Sequence, residues 1–126
     1  MSMDKKVLAA ASYAEQKYYL EPEFSGLPES IQEEVRTICV VMAQKLGCTF
    51  LMGFGADGDL YFEVIQAEDD FDFDEIGAEL EIKRIQREQK ELLSALELWY
   101  AIYFTEEGEQ IKQQLMQNAQ KEHTTE

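Results

Sequence analysis

Basic residues are missing from a long stretch of this chain. No Lys or Arg occurs between Lys45 and Lys83, while eleven carboxylates fall in the same interval. Over all 126 residues, 26 acids face 11 Lys plus Arg, for a net charge of -15. A surface this negative repels phosphate backbones, so the expectation is no nucleic-acid ligand. Anionic membrane surfaces are disfavoured for the same reason.

Other absences narrow the reading further. Only 2 Pro and 7 Gly are present, which favours long regular elements over a loop-rich chain. The one histidine is His123, near the end of a polar tail, which leaves no imidazole to activate a serine or cysteine through a triad. The two cysteines, Cys39 and Cys48, have neither disulfide-framework nor zinc spacing, and are expected as reduced thiols in the core. No run approaches the ~20 apolar residues of a membrane span. The apolar opening Val7–Ala11 is soon broken by Ser12, Glu15, Gln16 and Lys17, too early for a signal-peptide core. The expected setting is the cytoplasm. No cofactor is expected, since Gly53-Phe54-Gly55 precedes a hairpin and not a helix.

What is present suits one folded domain. Apolar residues make up 45% of the chain, enough to bury a core at the commonest domain length. Residues 4–19 read as a first helix, with Asp4 as N-cap and Val7, Ala11, Ala14 and Tyr18 on one face. Two prolines and a glycine between Glu21 and Pro28 mark a loop. Residues 28–46 read as a second helix on the spacing of Ile31, Val35, Ile38, Met42 and Leu46, stopped by Gly47.

Cys48–Phe54 and Leu60–Gln66 alternate with period two around Asp57-Gly58, a strong hairpin signal. Residues 68–75 alternate Phe71 and Phe73 with aspartates, and read either as a short third strand or as a loop pinning two aromatics. A helix of about thirty residues then runs from Asp74 to Phe104. Ile76 and Leu80 form a short apolar face near its start, and residues 105–126 read as a short helix with a frayed tail. The expected fold is α+β: two N-terminal helices, a β-hairpin with or without a third strand, then a long C-terminal helix.

Three residue sets invite a functional reading. Asp70, Asp72 and Asp74 with Glu81 copy the 1, 3, 5 and 12 spacing of a calcium loop. Glu75 stands where that loop needs glycine, so a capped, acidic helix entry is the expectation, with no specific metal site. Glu88 and Glu91 could pair on one helix face for Mg²⁺-dependent phosphohydrolase chemistry, but lie among Lys83, Arg84, Arg87 and Lys90 as a salt-bridge lattice would. The stripe Ile82, Ile85, Gln89, Leu92, Leu96, Trp99 and Tyr103 repeats 3-4 along the long helix and predicts a homodimer interface centred on Ile82, Ile85, Gln89, Leu92 and Leu96.

The segments Glu15-Gln16-Lys17-Tyr18-Tyr19, Pro22-Glu23-Phe24-Ser25-Gly26-Leu27-Pro28, Asp74-Glu75-Ile76-Gly77 and Leu96-Glu97-Leu98 resemble an uncharacterised family of small acidic cytosolic proteins from anaerobic Gram-positive bacteria. The resemblance covers most of the chain and transfers no functional residues. The expected role is a non-enzymatic interaction or self-associating protein, with a basic protein as a further partner class. A carboxylate-based, metal-dependent enzyme is the alternative.

Overall fold

The computed structural model describes residues 5–66 and 73–105. Two strands come first, β1 (Lys6–Ser12) and β2 (Lys17–Leu20), then a 3-10 turn at Pro22–Phe24 and the helix α1 (Glu29–Leu46). Strands β3 (Thr49–Phe54) and β4 (Leu60–Ile65) follow, and the described chain ends in α2 (Glu75–Glu88) and α3 (Lys90–Phe104). The four strands form one antiparallel sheet in the order β2-β1-β3-β4.

The expected α+β class is kept, but its architecture is overturned at two places. Residues 4–19 were expected as a helix; from Lys6 onward they form the hairpin β1–β2. Alanine-rich sequence has high helix propensity, yet that weak preference yields to tertiary context. Ala9 pairs with Met52 and Ala11 with Phe50, so β1 becomes a central strand. Its small side chains let α1 lie close over it, and Ala9 and Ala11 are buried. The hairpin turn lacks glycine: Gln16 takes the left-handed conformation at φ 53°, and Ser12 Oγ accepts from the Glu15 N–H.

The second correction concerns the long C-terminal helix. It is two helices, broken at Gln89, whose φ of -107° and ψ of 26° leave the helical region. From Gln86 to Glu91 there is no apolar side chain, so no packing holds that segment straight. The break lets Ile85 on one side and Leu92, Leu96 and Tyr100 on the other reach the same core. The expected strand or loop at 68–75 and the short helix at 105–126 lie almost wholly outside the described residues. Phe73 is described, and packs partly buried against the core.

The remaining elements follow from local sequence. α1 places Val35, Ile38, Cys39 and Met42 inward and ends on Gly47 at φ 62°, the left-handed position a glycine tolerates. The β3–β4 turn carries Gly58 at φ 86°. At its end of the core, Phe24, Phe54, Tyr100 and Phe104 stack, with Phe54 and Tyr100 centroids 4.2 Å apart. Offset aromatic pairs of this kind add about 0.5–1.5 kcal/mol beyond area burial. Phe24 thereby anchors the connection from β2 to α1.

Candidate functional site

Strand pairing sorts the sheet residues onto two faces. Ala9, Ala11, Phe50, Met52 and Phe54 share one face with Leu20, Phe62 and Val64. That face joins the inward side chains of α1, α2 and α3 in a single apolar cluster. The opposite face carries Lys17, Ser12, Thr49 and Ile65 in one row across the strands. The next row holds Tyr19, Ala10, Leu51 and Glu63, and the third holds Val7, Gly53 and Tyr61. Between rows the register slips at Leu8, which lets both Leu8 and Ala9 be fully buried.

None of the described helices contributes its buried side chains to this second face. Tyr19 is 52% exposed and Ile65 46% exposed. The Tyr61 ring lies across Gly53, where an added Cβ would meet it at 2.8 Å, and Lys5 Nζ stands 5.3 Å over the same ring. The result is a sheet surface built of Val7, Ala10, Leu51, Tyr61, Tyr19 and Ile65, where the described residues place charges only at the margins. Sequence reading missed it because β1 and β2 were read as a helix. The alternation of Lys17 and Tyr19 with Tyr18 and Leu20 was the available signal.

The residues singled out from sequence go elsewhere. Asp70 and Asp72 lie outside the described residues. Asp74 caps α2, its carboxylate accepting the Gly77 N–H at 2.9 Å. Glu81 bridges Arg84 at 2.8 Å and Lys45 at 3.1 Å, and hydrogen bonds from both hold its carboxyl below the usual range. Among the described residues, no three His, Cys, Asp or Glu side chains gather in a metal-holding group. Glu88 closes α2 paired to Arg84, while Glu91 belongs to α3 beyond the break, so the two acids do not share one helix. Ile85, Leu92 and Leu96 are buried in the core of their own chain, Ile82 packs partly buried against it, and Gln89 marks the break.

Other polar groups are tied to structure. Cys39 and Cys48 are free thiols, both buried, and desolvation raises them to about 12 and about 11. Thiols so rarely ionised are poor nucleophiles. Burial likewise raises Tyr18 to about 12, with Cys39 adding to the effect and Arg36 opposing it. A cleft of about 630 Å³ lies between the β3–β4 turn and α3, lined by Asp57, Asp59 and Glu97 with Tyr100 and Phe104. Glu97 is already engaged, accepting the Leu60 N–H at 2.8 Å. Asp59 is raised, chiefly by repulsion from Asp57. Elsewhere, Ile76 and Leu80 are 73% and 62% exposed on α2, an apolar patch only one helical turn long.

A family model described as a family of unknown function (DUF6145) matches residues 5–108. No curated protein and no solved structure matches the chain.

Proposed function

The chain belongs to this family of unknown function, and we propose that it acts as a non-enzymatic interaction protein whose docking surface is the face of the sheet that the described helices leave open. The observation that carries this reading is the row-by-row composition of that face. Antiparallel sheets with one solvated face normally alternate apolar-in with polar-out. Here the outward positions at the centre are Val7, Ala10, Leu51 and Tyr61, apolar or aromatic on both central strands and on β4. A contiguous apolar patch rimmed by charge is the usual mark of a macromolecular contact.

Photocrosslinking tests the reading. A photoreactive amino acid at position 51 of the full chain, in the cells that make it, should give covalent protein adducts. The same group at position 33, on the exposed side of α1, should give none above background. Equal yields at both positions, or none at 51, would overturn the proposal.

A further inference from the structure

On that reading of the sheet face, we infer that its occupant is a second copy of this chain, packed sheet to sheet about a two-fold axis running along the strands. The first reason is electrostatic. The chain carries -15, yet among the described residues the charged side chains on or bordering this face are Lys5, Lys17, Glu21 and Glu63, two of each sign. This balanced face lets two such acidic chains meet without confronting their excess carboxylates.

The second reason is the pattern of side chains, which selects the axis. An axis across the strands through the Leu51 row would stack Leu51 on Leu51 and Glu63 on its own copy. An axis along the strands exchanges β1 with β3 and β2 with β4. It sets Leu51 over Ala10 of the second copy, large on small, at both symmetry-related positions. It also carries Glu63 to the β2 edge, over Tyr19 and between Lys17 and Glu21. The two Glu63 side chains that would stack on each other under one symmetry are separated under the other.

The third reason is size. Three strand spacings by six residues give a face of about 14 by 20 Å, and with side-chain overhang a pair of copies would bury about 1,000 Å² in total. That is the low end of specific interfaces, so the dimer is reversible and concentration-dependent. Sheets packed this way lie about 10 Å apart with strands within about 30° of alignment.

Sedimentation equilibrium of the full chain should show a species of twice 14.6 kDa that dissociates on dilution. Leu51→Glu should weaken association about a hundredfold by placing like charges inside the contact. Glu63→Gln should leave it within about fivefold of the parent, because position 63 lies between Lys17 and Glu21 of the second copy. Lys17→Glu should weaken it by up to about tenfold by leaving each Glu63 between two carboxylates, and adding Glu63→Gln should recover most of the loss. Both charge positions are exposed in one copy, so unchanged thermal melts of dilute protein will confirm intact folding. A monomer at every concentration would overturn the inference, as would a dimer indifferent to Leu51→Glu or a double variant no better than Lys17→Glu alone. The crosslink at position 51 separates the two levels. An adduct of two copies supports both, an adduct with another protein alone removes self-association and keeps the docking face, and no adduct removes both.

Discussion

The two faces of the sheet use the same four strands, yet only one is covered by the described helices. On the inner face, Phe50, Met52 and Phe54 are fully buried and Ala9 and Ala11 lie under α1. On the outer face, Tyr19 and Ile65 remain about half exposed. The outer rows mix Ser12, Lys17, Thr49 and Glu63 with apolar residues, whereas the inner rows of Leu20, Ala9, Met52 and Phe62 and of Tyr18, Ala11, Phe50 and Val64 carry no charge, so hydrophobicity already marks the core face. The inner face offers small residues on β1 beside large ones on β3, a groove into which a helix settles. The outer face is flatter, with Tyr61 folded over Gly53, a surface better matched to another sheet.

Matched substitutions should expose this contrast, and dilute protein keeps each measurement on the single chain. The largest difference is expected between Phe54→Ala and Leu51→Ala. Removing a fully buried ring from the aromatic stack should cost about 3–5 kcal/mol, whereas Leu51→Ala should cost under about 1.5 kcal/mol. Urea denaturation reads both, and comparable losses would abolish the distinction between the faces.

Next come two neighbours on β1. Ala11→Leu pushes three carbons into the space occupied by α1 and should destabilise by about 1–3 kcal/mol. Ala10→Leu points the other way and should stay within about 0.5 kcal/mol of the parent. Equal effects would mean that α1 does not rest on β1 as described.

One outer-face position should behave like an inner one. A Cβ at Gly53 would lie 2.8 Å from both the Lys6 carbonyl oxygen and the Tyr61 ring. The ring can rotate away but the carbonyl is part of the β1 ladder, so Gly53→Ala should cost about 1–2 kcal/mol. A neutral result in the same urea titration would show that the bulge at Leu8 relaxes the ladder.

The smallest effect belongs off both faces, at the β3–β4 turn. Asp59 is raised by Asp57, by desolvation and by Glu97, so its charged form is disfavoured in the fold relative to the unfolded chain. That penalty is present when pH lies above the folded value and vanishes below the unfolded one. Asp59→Asn should accordingly raise the melting temperature slightly at pH 7, with the gain fading as pH falls through the carboxylate range. A gain that persists at low pH would point to another cause.

Legibility from sequence followed how local each signal was. The helix α1 announced itself through Ile31, Val35, Ile38 and Met42 and its stop at Gly47, and the hairpin β3–β4 through alternation around Asp57-Gly58. Both signals lie within the segments they describe. A cap at Asp72 or Asp74 was readable for the same reason, and Asp74 fills that place. The candidate docking face was not, because it requires Tyr19, Ala10, Leu51 and Tyr61 to be neighbours while they lie scattered over more than forty positions of the chain.

The sequence by itself determined composition-level properties and the elements whose periodicity is complete within one segment: the charge of -15, α1, and the β3–β4 hairpin. Only the tertiary structure decided that Lys6–Ser12 is a strand and that the C-terminal helix breaks at Gln89. An alanine-rich segment is satisfied by either backbone geometry. Strand β1 gains its ladder from β3, some forty residues away, and that partner is invisible to any local period. At Gln89 the local pattern favoured one continuous helix, but two shorter ones bring more apolar surface onto a single core.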